Sequence, residues 1–213
     1  MSQRGNELIE RRKQKLVNLL NEAIDPYPAS YLRSHTTSEA TALLLHHEAS
    51  IDAQLNDLRT ESVTIAGRIV TMRRMGKVTF IHIRDQEGQL QLHVRRDIVG
   101  EKHYAIIRNL DLGDFIGGSG PLFRTKSGEA SQETRTLTIL SKSLRPPPEK
   151  WHGLQDTEIR YRQRYLDFIS NPDGMKVFAL RSQIVQSIRT FMTDKGFLEA
   201  ETPVLVPVAA GAM

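Results

Sequence analysis

An alternating pattern of apolar and polar residues runs along residues 63–96, VTIAGRIVTMRRMGKVTFIHIRDQEGQLQLHVRR. The alternation is interrupted at residues 75–76 and 86–88, and both interruptions contain a glycine. Because successive side chains of a strand point to opposite faces, this pattern predicts three antiparallel strands joined by two tight turns. The face predicted to be buried consists of Val63, Ile65, Ile69, Ile81, Ile83, Leu90, Leu92 and Val94.

The opposite face of these strands carries a mixture of cations, aromatic rings and an amide. Its residues are Arg68, Phe80, His82, Arg84, Gln91, His93 and Arg95. Positive charge suits phosphates, a ring suits the stacking of a base, and an amide suits a base edge. The face therefore favours binding of single-stranded nucleic acid. A solvated sheet face, with the phenylalanine covered by a neighbouring loop, is the alternative.

Two further strands follow the first three. Residues 103–110 predict a short helix that docks on the sheet, and residues 114–125 and 135–144 predict strands joined by a turn at residues 126–129. Three strands, a helix and two strands form the element order of an OB-fold, a five-stranded Greek-key barrel that often binds oligonucleotides. The glycines within the fourth strand suit the bends of a small closed barrel.

Helices are predicted at the start of the chain and after the strands. Residues 2–23 and 38–48 have helical spacing of apolar residues, and Ser38 is a candidate N-cap. The three prolines at 146–148 predict a stiff linker between domains. A helix capped by Asp156 or Thr157 is predicted to follow the linker, over residues 156–169.

A long amphipathic helix is predicted at residues 173–195, where Gly196 ends it, and an extended segment at residues 197–205. Its apolar stripe consists of Val177, Leu180, Ile184, Ile188 and Phe191. Because one helix and part of a strand do not complete a domain, the sequence predicts only the beginning of a second domain here. The pattern does not decide whether this part folds by itself.

The composition is that of a globular protein, with 39% hydrophobic and 25% charged residues among 213. The formal net charge of +4 allows an anionic partner, and the absence of cysteine excludes disulfides and thiolate metal sites. No apolar run approaches the roughly 20 residues of a membrane span, and the start of the chain lacks the apolar core of a signal peptide. We expect a cytoplasmic protein without membrane contact.

Two stretches resemble a known family. RPPPEKWHGLQD at residues 145–156, followed by RYRQRYLDFIS at residues 160–170, is similar to the interdomain signature of bacterial-type lysyl-tRNA synthetases. The long helix with GFLEAETPVL at residues 196–205 resembles motif 1 of class II aminoacyl-tRNA synthetases. The resemblance implies that the barrel is the anticodon-binding OB-fold of this family. The linker stretch favours the lysine enzyme over the related aspartate and asparagine enzymes.

The resemblance also implies roles for individual residues. Phe80 matches the phenylalanine that stacks on the central anticodon base, and Gln91 matches the glutamine that reads its edge. Arg68 matches a supporting arginine, and Glu129 matches a loop glutamate that contributes to uridine recognition. Pro203 matches the motif 1 proline at the dimer interface.

The expected fold class is α+β, with four parts. These are an N-terminal helical extension (1–58), an OB-fold anticodon-binding domain (59–145), a linker and helix (146–172) and an incomplete class II catalytic domain (173–213). The family attaches lysine to tRNA using ATP and Mg²⁺, but motifs 2 and 3 are absent, so we assign no catalytic residue, metal ligand or cofactor site to this chain. The expected partners are the anticodon of lysine tRNA and, in the complete enzyme, a second subunit bound through motif 1. A stand-alone RNA-binding module with a protein-association tail is the alternative.

Overall fold

The computed structural model describes residues 3–50, 59–148, 154 and 156–204. The helices are α1 (Gln3–Asn21), α2 (Thr37–Ser50), α3 (Arg96–Asn109), α4 (Thr157–Arg162), α5 (Arg164–Ser170) and α6 (Pro172–Asp194). The strands are β1 (Ser62–Met75), β2 (Val78–Arg84), β3 (Gln89–Arg95), β4 (Phe115–Arg124), β5 (Ala130–Thr134) and β6 (Thr136–Ser141). The chain divides after Pro147 into two compact units. None of the helices in the described part combines the length and apolar character of a membrane span.

The strands form one closed, mixed sheet in the order β1-β2-β3-β5-β4-β6. Strand β1 is long enough to pair with β2 through its second half and with β4 through its first half, which closes the barrel. A register shift between Ile69 and Thr71 lies where β1 passes from one partner to the other. Strands β3 and β5 run parallel, whereas the other pairs are antiparallel. This arrangement confirms the predicted OB-fold.

The interior of the barrel contains every residue that the alternating pattern assigned to it. Val63, Ile65, Ile69, Ile81, Ile83, Leu90, Leu92 and Val94 are each at most 3% exposed. Residues of α1, α2 and α3 extend this core, among them Leu19, Leu44 and Ile107. The turns at residues 76–77 and 86–87 also lie where the sequence predicts them.

The fifth strand differs from its prediction at residues 135–144. Pairing begins at Ala130, and a bend at Arg135 divides the region into β5 and β6. The alternation of apolar and polar residues does not predict β5, because the buried residues of this strand are polar. Gln132, for example, is fully buried. The side-chain amide of Gln132 donates to the carbonyl oxygens of Val63 (2.9 Å) and Gly118 (3.3 Å), which satisfies it inside the barrel.

The glycines of β4 allow close approach of neighbouring groups. A Cβ atom at Gly120 would lie 1.9 Å from the carbonyl oxygen of Glu133, and one at Gly117 would lie 2.2 Å from the ring of Tyr31. No side chain larger than hydrogen fits at either position unless its neighbours move.

The cap of α2 is Thr36 rather than the predicted Ser38, which is exposed. The amide of Glu39 donates to Thr36 Oγ1 (3.2 Å), and the amide of Thr36 donates to the Glu39 carboxylate (2.7 Å). This reciprocal pair is a capping box. Helix α3 begins at Arg96, before the predicted residue 103, and is interrupted at Gly100, whose φ is +78°.

Helix α1 is fixed to the barrel by a buried arginine. The guanidinium of Arg12 donates to the carbonyl oxygens of Ser143 (2.9 Å), Arg145 (3.3 Å) and Leu112 (2.9 Å). Lys15 forms an ion pair with Asp111 at 2.5 Å. The first unit, residues 1–147, therefore includes α1 as part of one compact body with the barrel.

The second unit contains three helices in its described part. The helix predicted at residues 156–169 is divided into α4 and α5 at Gln163. Asp156 caps α4 by accepting from the amides of Glu158 and Ile159. Helix α6 matches the predicted long helix, and Gly196, with φ of +84°, follows its end. Residues 197–203 form neither helix nor strand, whereas residue 205 of the predicted extended segment and the linker residues 149–153 and 155 lie outside the described residues.

Candidate nucleic-acid interface

A row of three aromatic rings crosses the outer face of the barrel. Phe80 on β2 stacks against His93 on β3, with ring centroids 5.0 Å apart and ring planes 23° apart. His93 in turn contacts Phe123 on β4 at 5.5 Å between centroids. All three side chains are partly exposed. Partly exposed rings on a sheet are suited to stacking with unpaired bases.

His93 contributes an uncharged ring to this row. Burial lowers the pKa of His93, and the neighbouring positive charge of Arg95 lowers it further. The neutral form of the imidazole therefore predominates at neutral pH. Its Nδ1 atom is buried and has no hydrogen-bond partner among the described residues.

A cluster of polar side chains lies beside Phe80 on the same face. His82 Nδ1 is 2.7 Å from Thr71 Oγ1, and His82 Nε2 is 2.6 Å from the carboxylate of Glu129. Gln91 lies opposite His82 in the β2–β3 ladder. Its amide donates to the other carboxylate oxygen of Glu129 at 2.6 Å, and its carbonyl accepts from Ser131 Oγ at 2.9 Å.

The members of this cluster differ in accessibility. The Glu129 side chain is 42% exposed, whereas Gln91 is only 2% exposed and lies beneath it. An approaching base therefore meets the carboxylate first. The sequence predicts the amide of Gln91 as an exposed contact, but in this structure the amide supports the carboxylate from below.

Glu129 owes its position to a tight turn between β4 and β5. The turn requires a left-handed residue, Gly128, with φ of +84°. The amide of Glu129 donates to Thr125 Oγ1 at 3.0 Å, and the amide of Thr125 donates to the Glu129 carbonyl at 3.0 Å. Arg124 connects the turn to α2 through an ion pair with Glu48 at 2.7 Å.

Arg68 lies at another place on the barrel. It pairs with Arg84 across β1 and β2, its guanidinium donates to the carbonyl of Gly113 (3.2 Å), and it lies 4.3 Å from the centroid of the Phe115 ring. Burial lowers the pKa of Arg68, although a guanidinium remains charged at neutral pH. The structure thus joins Gln91 and Glu129 by a hydrogen bond beside His82, and Phe80 lies two residues along β2 from His82. Arg68 lies instead near Phe115, at the start of β4.

Arg73 is the cation that sequence reasoning missed. It is exposed and lies directly opposite Phe80 in the β1–β2 ladder. The register shift between Ile69 and Thr71 changes which residues of β1 face outward. Strict alternation from Arg68 therefore could not identify Arg73 as an outward-facing residue.

Pro203 belongs to the second unit, where it is exposed. Within the described ranges, no group of three or more histidine, aspartate or glutamate side chains could hold a metal ion.

Two family models match parts of the chain. Residues 63–146 match the family model of an OB-fold nucleic acid binding domain, and residues 156–213 match tRNA synthetases class II (D, K and N). The chain is 50% identical over 203 residues to the lysine–tRNA ligase of Dehalococcoides mccartyi strain 195, which covers 95% of this chain and 40% of that protein. It is 44% identical over 212 residues to the enzyme of Oceanobacillus iheyensis, which covers 100% of this chain and 42% of that protein.

A third relative, the lysine–tRNA ligase of Lactococcus lactis strain MG1363, is 46% identical over 209 residues, which is 97% of this chain and 41% of that protein. The chain thus spans about two-fifths of the length of these relatives. The two matched ranges lie on either side of the three prolines at residues 146–148, the first of which ends the first range. Over nearly its whole length the chain is therefore similar to lysine–tRNA ligases, and it carries matches to an OB-fold nucleic acid binding domain and to part of a class II tRNA synthetase domain.

Proposed function

We propose that the OB-fold of this chain binds the anticodon of lysine tRNA. The observation that supports the proposal best is the accessible carboxylate of Glu129, which is bound by His82, two residues along β2 from the ring of Phe80. A base that stacks on Phe80 presents its edge to the polar cluster. Aromatic stacking together with hydrogen bonds to a base edge is the common way in which proteins read unpaired RNA.

The chemistry of the cluster favours uracil. The pairing edge of uracil has an N3–H donor between two carbonyl acceptors, whereas N3 of cytosine is an acceptor. An ionised carboxylate can only accept hydrogen bonds, so Glu129 attracts N3–H of uracil and repels N3 of cytosine. We propose that Gln91 contributes to recognition by supporting Glu129 from below, and that Arg68 stabilises the adjoining part of the face.

For the whole protein we propose the ligase reaction of its relatives, the attachment of lysine to tRNA with ATP and Mg²⁺, in the cytoplasm. Among the described residues, no group of three or more acidic or histidine side chains could hold the Mg²⁺ ion. We therefore derive no catalytic step here. We further propose that a second copy covers the exposed stripe of α6, with Pro203 at that interface.

The test is binding of the purified chain to an RNA stem-loop with the lysine anticodon, compared with a loop whose central uridine is replaced by cytidine. Both are measured over a series of salt concentrations, because phosphate contacts weaken with salt. We expect a preference for uridine. Phe80→Ala should weaken binding of the uridine loop by about 10- to 100-fold, since one base stack contributes about 1–3 kcal/mol.

The matched control is Phe197→Ala, which removes an exposed phenylalanine from the second unit (61% exposed). It should leave binding unchanged. Equal affinity for both loops, together with insensitivity to Phe80→Ala, would contradict anticodon reading and leave a basic OB-fold without base preference.

A further inference from the structure

We propose that His82 is a positioning residue that holds the Glu129 carboxylate in the orientation that reads the base. The inference rests on the proposed function, because it assigns a cause to the uridine preference. His82 makes no contact with the base in this proposal. It acts through Glu129, and its own orientation depends on Thr71.

The two hydrogen bonds of His82 fix its ring. Nε2 lies 2.6 Å from a carboxylate oxygen of Glu129, which is an acceptor, so Nε2 carries a proton and donates. In the neutral ring Nδ1 is then an acceptor, and the hydroxyl of Thr71 donates to it over 2.7 Å. Both ring nitrogens are satisfied, and the His82 side chain is 20% exposed.

The carboxylate of Glu129 is consequently held from two sides. His82 donates to Oε1 and the amide of Gln91 donates to Oε2, each at 2.6 Å. Gln91 Nε2 is also 3.4 Å from His82 Nε2, but both nitrogens carry hydrogens, so this is a contact and no bond. A carboxylate has about four lone-pair directions. Two are used here, and the exposed part of the group keeps acceptor capacity for the base.

Fixed orientation is what makes the carboxylate selective. A glutamate on a turn has three freely rotating side-chain bonds, and a freely rotating carboxylate can turn away from cytosine and pair with solvent. A carboxylate held opposite position 3 of the base accepts N3–H from uracil but faces the N3 lone pair of cytosine, and it cannot turn towards the cytosine amino group, which is also a donor. Loss of His82 should therefore reduce discrimination more than it reduces affinity.

The experiment compares His82→Leu, which removes both hydrogen bonds, with His82→Gln, whose amide can still donate to Glu129. Binding of the uridine and cytidine stem-loops is measured for each variant of the full chain. We expect His82→Leu to reduce the uridine-over-cytidine ratio about tenfold, the size of one hydrogen bond to a charged group. His82→Gln should restore most of the ratio, and Thr71→Val should give an intermediate value.

His103→Leu is the control, because His103 is an exposed histidine on α3. The uridine-over-cytidine binding ratio of this variant should equal that of the unmodified chain. A second measurement needs no RNA: ¹⁵N relaxation of the backbone amides of residues 125–129 in the free protein. We expect these amides to become more mobile in His82→Leu and to regain order in His82→Gln.

The two measurements separate this inference from the proposed function. An unchanged ratio in His82→Leu, or an unchanged turn in the relaxation data, would overturn the role of His82. If the unmodified chain itself binds both stem-loops equally, anticodon reading fails, and the relaxation data alone decide whether His82 holds Glu129.

Discussion

Asp85 connects two distant parts of the first unit through its single carboxylate. It accepts from the amide and hydroxyl of Thr37 at 2.7 and 2.6 Å and from the amides of Glu87 and Gly88, both at 2.9 Å. The turn between β2 and β3 is thereby tied to the first turn of α2. Since helix N-termini attract negative charge, the position also suits the helix dipole.

Replacing Asp85 with asparagine tests this connection and its pH dependence. Burial by itself raises the pKa of the Asp85 carboxyl, but the hydrogen bonds from Thr37 and the turn amides together lower it below its ordinary value. Stability from the charge is therefore present above the unfolded pKa, about 3.9, and is lost as pH falls through the lower folded pKa. We expect Asp85→Asn to lower the free energy of unfolding by about 1–3 kcal/mol at pH 7, and by progressively less as the pH falls below the unfolded pKa and then through the lower folded pKa.

Chemical denaturation at a series of pH values between neutral and acid measures this difference. The control is Glu22→Gln at an exposed position, which should change the free energy of unfolding little at any pH. If Asp85→Asn lowers the free energy of unfolding by the same amount at every pH, the shape of the side chain matters rather than its charge.

Gly120 tests the close approach of β4 and β5. Its absent Cβ would lie 1.9 Å from the backbone oxygen of Glu133, and backbone cannot turn aside as a side chain can. We expect Gly120→Ala to destabilise the chain by about 3 kcal/mol or more, measured by thermal or chemical unfolding. Ser119→Ala is the neighbouring control, since it removes only a 3.2 Å hydrogen bond to Thr64. Equal effects of the two changes would contradict the steric argument.

At the scale of elements, the attachment of α1 depends on one guanidinium that reaches three carbonyl oxygens. Arg12 is 8% exposed, although its neighbour Arg11 on the same helix is exposed. Lysine carries the same charge but has one nitrogen and lacks the planar fork. Arg12→Lys therefore tests geometry rather than charge.

We expect Arg12→Lys to lower the free energy of unfolding by about 1–3 kcal/mol, because buried carbonyl groups lose donors. Hydrogen exchange should rise in α1 while the strands of the barrel keep their protection. Arg11→Lys should change neither quantity. Uniform loss of protection across the barrel would mean that α1 and the sheet unfold as one unit.

At the scale of the whole molecule, α6 presents an unusually apolar surface. Val177, Leu180, Ile184, Ile188 and Phe191 are between 51% and 66% exposed. They share one side of the helix, and exposed apolar patches of this kind mark interaction sites. The same segment resembles motif 1, so a second copy of the chain is the partner that we propose.

Ile188→Glu tests this proposal, because a charge in the middle of the stripe opposes burial of the stripe. We expect the unmodified chain to self-associate with increasing concentration in sedimentation equilibrium and Ile188→Glu to be monomeric. Gln186→Glu adds the same charge about half a turn away and should leave association intact. A chain that is monomeric at all concentrations would contradict self-association through α6.

Prediction from sequence succeeded where burial and periodicity agree. Alternation correctly predicted the inward-facing residues of β1, β2 and β3, because one face of each strand is buried in the interior of the barrel. It was wrong where polar groups are buried, as in β5, since the burial of Gln132 depends on acceptors from Val63 and Gly118 that are remote in the chain. The N-cap of α2 was misplaced at Ser38 because both Thr36 and Ser38 suit a cap.

The sequence by itself determined β1 to β4, the turns between β1, β2 and β3 and the resemblance to lysine–tRNA ligases, and it predicted a candidate site with a ring at Phe80 and polar groups at Gln91 and Glu129. Only the tertiary structure decided how those groups meet. It buried Gln91 beneath Glu129, placed His82 between Glu129 and Thr71, and set Arg73 rather than Arg68 opposite Phe80. The physical reason is that side-chain hydrogen bonds between strands depend on the strand register and on the bulge in β1, whereas the hydrophobic pattern predicts only which face of a strand is buried.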